Sequence, residues 1–390
     1  MLSVDKAVER ITDALKPLGS ERVNLEDAFG RTLAADARAR FDQPPCSVSA
    51  MDGYAVRSAD QGPRRLIGAA PAGHPFTGKV GANETVRLFT GSQVPDGADA
   101  VLAQEDARVG DDRVEFTAQP YPGKFIRAKG QDFLAGQMLI PQGTCLGARD
   151  VALLAAGDLA QVDVQQRPVV VLAATGDELS LPGAPRKPGG IVASSAYGLM
   201  PLIAQWGARP RNLGILPDRS EAIAALAEEK CDLLVTLGGA SVGDHDLVRS
   251  ALGSKGFALD FWKIAMRPGK PMIFGRLGAI PLLGLPGNPV STLVCALLFL
   301  RPAIFKMLGR EWSQPLKPAK LIGTLDASGE RQDYLRAKGE LRDGIIWARA
   351  LAVQDSSLLR DFSVADMLIV RPPRAPALRE GDAVKIMELE

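Results

Sequence analysis

Three continuous apolar runs within residues 168–310 place the strongest limit on the fold of this chain. The runs are Val169–Ala173, Leu233–Leu237 and Ile280–Gly284, and most of their side chains are aliphatic. A strand of a parallel sheet is covered by helices on both faces and therefore needs such a run. Helical patterns at 195–207 and 220–230 alternate with the runs, which predicts a parallel α/β domain.

The chain on either side of this region has a different pattern. Residues 3–18 predict an amphipathic helix that Ser3 can cap and that Pro17 and Gly19 end. From about 46 to 140, short apolar runs are interrupted by turns such as Asp52-Gly53, which is typical of a β-rich domain. The same pattern returns from about 315 to 390 and predicts a small all-β domain.

Composition excludes several classes of function. Lys and Arg total 46 against 45 Asp and Glu, so the chain has no basic excess that would indicate nucleic-acid binding. The four cysteines are widely separated and favour free thiols in a reducing cytoplasm. Runs such as Val290–Leu300 are shorter than the roughly 18 residues of a membrane helix. Because only two histidines exist, a His-rich metal site is excluded.

Polar, glycine-rich segments follow each buried strand of the α/β region. They are Ala174–Glu178, Leu237–Asp246 and Leu285–Ser291. In open α/β sheets, ligands bind beyond the carboxyl ends of the strands. Three such loops in one domain therefore predict a binding site there.

The third of these loops predicts an anion site. Asn288 can cap a helix and Pro289 suits its first position, so free amides and the positive dipole end would face the cleft. Neither a dinucleotide fingerprint nor a Walker motif is present, which disfavours nicotinamide and P-loop chemistry.

Charged residues of both signs belong to the same region. The cations Lys263, Arg267 and Lys270 fall within eight residues and are separated by Pro and Gly, which favours a rigid clamp for an anionic ligand. Acidic residues such as Glu178 and Asp246 beside an anion site are compatible with a bridging Mg²⁺.

Sequence blocks spread over nearly the whole chain resemble the molybdopterin molybdenumtransferases, the MoeA-type family that includes the E domain of gephyrin. The most specific block is Ser49–Arg57, which contains Met51-Asp52-Gly53-Tyr54. One departure is Arg267, which stands where members often have Lys. The other blocks, in the order of the family, are Phe89–Gly91, Gly97–Val101, Gly130–Asp132, Thr175–Leu179, Gly238–Gly243, Arg267–Pro271 and Leu285–Ser291.

The resemblance implies a multidomain α/β fold. We expect a central parallel, doubly wound α/β domain similar to MoaB and MogA, a β-rich insert domain, a small linking α+β domain and a C-terminal domain resembling a β-barrel. The bounds that we expect are 1–19 for the N-terminal helix, 20–45 and 141–167 for the linking domain, 46–140 for the β-rich domain, 168–312 for the molybdopterin-binding α/β domain and 313–390 for the C-terminal domain.

The resemblance also implies an activity. Such an enzyme inserts molybdate into the dithiolene of adenylylated molybdopterin and releases AMP and molybdenum cofactor, assisted by Mg²⁺. The resemblance further implies an elongated cytoplasmic homodimer with its cleft between the α/β domain of one subunit and the β-rich domain of the other. Molybdopterin adenylyltransferase and proteins that mature molybdoenzymes would be further partners, with no nucleic acid and no membrane.

The family's functional positions can be carried over one by one. Glu178 and Asp246 would also bind the metal. The catalytic candidates are Asp52, Thr90, Asp132, Glu178, Asp218 and Asp246. The substrate-binding candidates are Gly238, Gly239, Ser241, Lys263, Arg267, Lys270, Pro286, Gly287, Asn288 and Pro289.

Two other functions remain open from the sequence. ATP-dependent adenylylation of molybdopterin belongs to single-domain relatives of residues 168–310, whose loop has a second Thr where this chain has Ala240-Ser241. A non-enzymatic cofactor carrier or scaffold is the other alternative, although it would not need the whole set of acidic and basic residues.

Overall fold

Two compact units make up the chain. The structure is a computed structural model and describes residues 1–238, 252–253 and 255–389. One unit consists of Met1–Glu21 with Gln165–Glu390, and the other of Arg22–Val164.

A six-stranded sheet forms the centre of the larger unit. Its first four strands are parallel, as predicted. The side chains of Val169–Thr175, Leu233–Leu237 and Ile280–Leu285 are almost all buried, whereas the edge strand Arg209–Leu216 is partly exposed. The last two strands are antiparallel, so the prediction of a parallel sheet was incomplete. The two-residue turn Gly278-Ala279 explains the reversal, because so short a connection can join only antiparallel neighbours. In spatial order the strands are Arg209–Leu216, Val169–Thr175, Leu233–Leu237, Ile280–Leu285, Ile273–Leu277 and Phe257–Trp262.

The N-terminal helix packs into the core of this unit. It spans Val4–Asp13, and the Ser3 hydroxyl accepts a hydrogen bond from the Lys6 amide at 3.3 Å, which confirms the predicted cap. It ends before the predicted residue 18, because Pro17 disfavours helical geometry at the residue before it. The other helical segments on this sheet are Ser195–Gln205, Ser220–Ala224 and the 3₁₀ turn Ala225–Glu228.

The third loop leads into one long buried helix. It runs as an α-helix over Pro289–Cys295, a π-turn over Ala296–Leu300 and an α-helix over Arg301–Met307. The helix is longer than the predicted apolar run, and its 19 residues are long and apolar enough to cross a membrane. Because 83% of its most apolar stretch is buried within the protein, it is a core helix.

The C-terminal strands form a closed barrel. Five strands pair in a ring, since Met367–Arg371 pairs with both Ala383–Glu388 and Gln332–Arg342. A sixth strand, Met266–Arg267, joins from the α/β region and runs parallel to Gln332-Asp333. The ring order is Gln332–Arg342, Ile345–Ala350, Leu316–Leu321, Ala383–Glu388 and Met367–Arg371, and a short helix spans Leu359–Ser363.

The smaller unit is rich in β-structure, as its turn pattern predicts. A six-stranded sheet is accompanied by short strand pairs and the helix Ala148–Ala156, which buries Leu154. The sheet order is Ala100–Ala103, Gly53–Val56, Glu84–Leu88, Arg64–Ala70, Arg113–Phe116 and Ala107–Val109. The short pairs are Val48-Ser49 with Ile126-Arg127, Ala37-Arg38 with Met138–Ile140, and Ser20–Asn24 with Gln161–Gln165.

Candidate active site

A large cleft lies at the carboxyl ends of the parallel strands in the larger unit. Its volume is about 1040 Å³. Residues of all three predicted loops line it, and others come from the C-terminal barrel. Among the described residues, the lining includes 174–176, 178–179, 237–238, 267–271, 286–289, Ser291, Asp218, Arg331, 354–357 and Leu359.

The three strand-end loops converge at the base of this cleft. The Gly238 amide donates to the Leu285 carbonyl at 3.1 Å. Gly238 has a φ of +92°, and a Cβ at this position would lie 2.8 Å from the Thr175 carbonyl oxygen. A Cβ on Gly287 would lie 3.7 Å from the Gly238 Cα. Glycine therefore allows the three backbones to approach each other, and a side chain at Gly238 would separate them.

Two of the predicted acidic residues line the cleft. Glu178 is exposed at the end of the first strand, and the Asp218 amide donates to Asp177 Oδ1 at 3.3 Å. The predicted residues Gly239, Ser241 and Asp246 lie outside the described residues. Within the described part of the chain, no group of three or more acidic, His or Cys side chains could hold a metal ion.

Two of the three predicted cations also line the cleft. The Lys270 side chain is exposed and makes no hydrogen bond or ion pair with any residue that the structure describes. Arg267 Nε lies 3.3 Å from Asp333 Oδ1, so its charge is partly compensated. Lys263 is not among the described lining residues, and its Nζ lies 3.8 Å from the centre of the Trp262 ring. Of the three predicted cations, Lys270 is therefore the one most available to an anionic ligand.

The start of the long helix differs from the predicted anion site. Asn288 occupies the N-cap position but does not cap the helix with its side chain. Its Nδ2 donates instead to Ser356 Oγ at 2.8 Å, and the Val290 amide donates to the Ser356 carbonyl at 3.2 Å. Pro289 has no amide hydrogen to offer. Fewer helix-end donors thus remain for an anion than the sequence predicts.

Asp52 and Thr90 are bound to each other in the smaller unit. Asp52 Oδ1 accepts hydrogen bonds from the Thr90 amide at 2.7 Å and from Thr90 Oγ1 at 2.8 Å. These two bonds, with a smaller contribution from the Arg87 charge, hold the pKa of the Asp52 carboxyl below its ordinary value. The Arg87 guanidinium lies over the rings of Tyr54 and Phe89. The Asp52 carboxylate is therefore ionised at neutral pH, and its side chain is partly exposed.

Asp132 has a different environment in the same unit. It lines a cavity of about 610 Å³ together with Arg127 and Cys46. Its amide donates to the Gln43 carbonyl at 2.9 Å, which places it in the turn that follows Lys129-Gly130.

The sequence analysis did not predict that residues of the barrel belong to the site. Arg331, Gln354, Ser356 and Ser357 line the cleft, although they lie about 40 residues or more beyond the third loop in the sequence. The signal for the last three is the polar run Gln354-Asp355-Ser356-Ser357. The fold brings this run to the cleft through the hydrogen bonds of Ser356 with Asn288 and Val290.

Comparisons with known proteins agree with this architecture. Three protein-family profiles match: "MoeA N-terminal region (domain I and II)" at residues 2–157, "Probable molybdopterin binding domain" at 171–306 and "MoeA C-terminal region (domain IV)" at 319–389. A molybdopterin molybdenumtransferase of Nostoc sp. is 35% identical, with 95% of this chain and 89% of that protein covered. The molybdopterin molybdenumtransferase of Haemophilus influenzae is 32% identical, with 99% of this chain and 98% of that protein covered.

A solved structure matches the whole chain as well. The crystal structure of a molybdopterin biosynthesis MoeA protein from Pyrococcus horikosii has a TM-score of 0.87 at 30% identity, covering 100% of this chain and 99% of that one. Both the sequence blocks and the arrangement of α/β sheet, β-rich unit and closed barrel are thereby accounted for, and the chain belongs to the MoeA family of molybdopterin molybdenumtransferases.

Proposed function

We propose that this enzyme inserts molybdate into the dithiolene of adenylylated molybdopterin and releases AMP and molybdenum cofactor. The single observation that carries the proposal is the cleft, in which the Lys270 ammonium, with no partner among the described residues, and the Arg267 guanidinium stand beside three converging glycine-rich loops. Both substrates are anions, because molybdate is a dianion and the adenylate is linked through phosphate. The relatives that share the family's sequence are named for the transfer of molybdenum to molybdopterin.

The charges in the cleft suit the transfer step. When water adds to the adenylate phosphorus, the bond from this phosphorus to the bridging oxygen breaks and AMP leaves. Negative charge accumulates on the bridging oxygen, which stays on the pterin phosphate. A fixed cation that touches this charge stabilises the transition state more than the ground state. Lys270 is suited to this role because no described side chain neutralises it. Arg267 would orient a phosphate or molybdate through its planar guanidinium.

The acidic side of the cleft is compatible with Mg²⁺. Mg²⁺ is usually held by one or two carboxylates together with substrate phosphates. Glu178, exposed at the cleft, offers one carboxylate, and Asp246 is proposed as the second. When bound, the ion would polarise the phosphate oxygens of the adenylate.

Asp52 and Thr90 have a role that follows from their charge. An ionised carboxylate repels a molybdate dianion and accepts hydrogen bonds from N–H groups. We therefore propose that Asp52 binds donor groups of the pterin and that Thr90 keeps its carboxylate ionised and oriented. Asp132 is proposed as a further catalytic residue.

We also propose that the enzyme is a cytoplasmic homodimer with molybdopterin adenylyltransferase and molybdoenzyme-maturation proteins as partners. The cytoplasmic location is supported by four free cysteines. Sedimentation velocity of the purified chain should give twice the mass of 41.4 kDa. A single species at the monomer mass would contradict the homodimer.

The test is release of AMP from purified adenylylated molybdopterin, with and without molybdate. We expect release that depends on molybdate, and we expect Lys270→Ala to lower kcat/KM by about 10²–10³-fold, as the loss of one electrostatic contact to a transition state does. Lys16→Ala is the matched control, because Lys16 is an exposed lysine outside the cleft.

Three results would contradict the proposal. Consumption of ATP without molybdate would indicate adenylylation as the activity. The absence of any turnover in the unmodified enzyme would indicate a carrier or scaffold. Equal activity of Lys270→Ala and Lys16→Ala would show that Lys270 does not act on the substrate.

A further inference from the structure

We propose that Gln354 is a positioning residue that fixes the segment Gln354–Ser357 of the barrel. The Ser356 hydroxyl can then bind Asn288 Nδ2 and leave Asn288 Oδ1 for the ligand. The inference rests on the proposed function for the identity of the substrate. It assigns the barrel a role in recognition, through a contact that spans the barrel and the α/β sheet.

The first step is the fastening of Gln354 to the barrel. Its Oε1 accepts from the Arg336 amide at 2.9 Å, and its Nε2 donates to the carbonyls of Arg336 at 2.9 Å and Leu351 at 2.8 Å. The side-chain amide thus pairs with both main-chain groups of one residue, as a neighbouring strand would. Three hydrogen bonds at this length fix the amide in one orientation.

The strand residue that Gln354 binds also contacts the residue before this segment through its side chain. The Arg336 side chain is fully buried, and its Nη2 donates to the Val353 carbonyl at 3.3 Å. Burial lowers the pKa of its guanidinium, while the nearby Asp361 and Asp355 charges act in the opposite direction. Arg336 thereby adds a second attachment on the residue immediately before Gln354.

The next step is the shape of the segment itself. Asp355 Oδ1 accepts from the Ser357 amide at 2.8 Å and from Ser357 Oγ at 2.6 Å. This local turn leaves Ser356 at its tip. Ser356 then makes the two contacts already described, through its carbonyl to the Val290 amide and through its hydroxyl to Asn288.

The consequence concerns the Asn288 amide. One hydrogen of its Nδ2 is used by Ser356, and its Oδ1 accepts no hydrogen bond from any residue that the structure describes, so Oδ1 is available as an acceptor to a ligand in the cleft that Asn288 lines. An amide held in this way accepts hydrogen bonds and recognises a donor, such as the amino group of an adenine or a pterin. Without Gln354, the segment would lose its attachment to the barrel and the amide could rotate. Gln354 therefore contributes to substrate recognition without touching the substrate.

The test uses the isosteric variant Gln354→Glu, whose carboxylate cannot donate to the carbonyls of Arg336 and Leu351. In the AMP-release assay, we expect KM for adenylylated molybdopterin to rise at least tenfold and kcat to change less than threefold. Ser356→Ala should raise KM similarly. The KM of the double variant should be no higher than the higher of the two single-variant values, because both substitutions release the same Asn288 amide.

The matched control is Gln314→Glu, which makes the same chemical change at a glutamine whose Nε2 donates to the Tyr334 hydroxyl, outside the cleft. We expect its KM to be unchanged. A fall in kcat with an unchanged KM in Gln354→Glu would indicate loss of folded enzyme and overturn the proposal. Multiplicative effects of the two single variants would also overturn it, since Gln354 would then not act through Ser356.

Calorimetric titration with AMP separates this inference from the proposed function. We expect Gln354→Glu to raise the Kd for AMP at least fivefold, whether or not the unmodified enzyme releases AMP from the full substrate. If the unmodified enzyme shows no molybdate-dependent release, the proposed function fails and the AMP titration still tests Gln354. An unchanged Kd for AMP in Gln354→Glu would overturn the positioning role.

Discussion

At the scale of single residues, the two hydrogen bonds between Thr90 and Asp52 distinguish a functional carboxylate from a turn residue. A turn aspartate usually accepts from amides of its own turn. Asp52 instead accepts from a residue 38 positions away, and its side chain stays partly exposed. The strand Gly53–Val56 follows Asp52, and the strand Glu84–Leu88 precedes Thr90. These two strands pair directly and bring the two residues together.

We expect Asp52→Ala to abolish molybdenum insertion and leave folding intact. The carboxylate is partly exposed and its partner Thr90 is exposed, so the hydrogen-bond donors can be solvated when the carboxylate is removed. Circular dichroism during heating should give a Tm within a few degrees of the unmodified enzyme. A loss of stability as large as that of the core variant Phe299→Ala would show that Asp52 is architectural.

Thr90→Val provides the companion measurement, because it removes the hydroxyl donor and keeps the amide. The pKa of Asp52 should rise toward its ordinary value of 3.8, which a ¹³C NMR titration of the carboxyl would record. A lowered folded-state pKa stabilises the protein above the ordinary value, and this contribution is lost as the pH falls through the folded-state value. Activity between pH 6 and 8 should therefore show no step from Asp52, and such a step would contradict this assignment.

At the scale of elements, the loop Arg267–Pro271 depends on close packing against the long helix. Gly269 has a φ of +109°, and a Cβ there would lie 2.4 Å from the buried Cys295 Sγ. Neither the backbone angle nor the space admits a larger residue. The position of Lys270, the next residue, is thus determined by contact with the helix core.

We expect Gly269→Ala to lower the free energy of unfolding by about 3 kcal/mol, from overpacking together with backbone strain. Denaturant titration would measure it, and the Kd for AMP should rise as Lys270 moves. Gly278→Ala is the matched control, because Gly278 has a φ of +59° and a Cβ added there would have nothing within 4 Å. That control should cost only about 1–2 kcal/mol, and equal losses would contradict the packing argument.

The elements that the sequence predicts best are those with a strong local pattern. The run Val169–Ala173 predicts a buried strand, and the structure has one at Val169–Thr175. The strands Phe257–Trp262 and Ile273–Leu277 were not predicted. They lie on either side of a charged loop and pair with each other at one edge of the sheet, which no local pattern in the sequence indicates. The described residues of the three strand-end loops lie together as predicted, since parallel topology fixes their common edge. Of the second loop, these are Leu237 and Gly238. Ser356 was missed because its contact with Asn288 spans 68 residues.

At the scale of the whole molecule, each unit has a hydrophobic core of its own. Leu172 is buried in the larger unit and Leu88 in the smaller one. A chain of this length with separate cores is expected to unfold in more than one transition.

We expect calorimetric melting to show that the substitutions Leu172→Ala and Leu88→Ala lower different transitions, each by an amount that corresponds to about 2–5 kcal/mol. AMP should raise the transition that Leu172→Ala lowers, because the cleft belongs to the larger unit. If both substitutions lowered every transition equally, the two units would be one cooperative body.

The parallel pairing of Met266-Arg267 with Gln332-Asp333 makes one of the cleft's cations a part of the barrel sheet. Lys270 is bound to the α/β region instead, since its main-chain carbonyl accepts a hydrogen bond from the Ile264 amide at 3.0 Å. A small tilt of the barrel would therefore alter the separation of the two positive charges. Substitutions in the barrel strands that change this tilt would therefore alter which oxyanions the cleft binds, with every residue of the cleft unchanged.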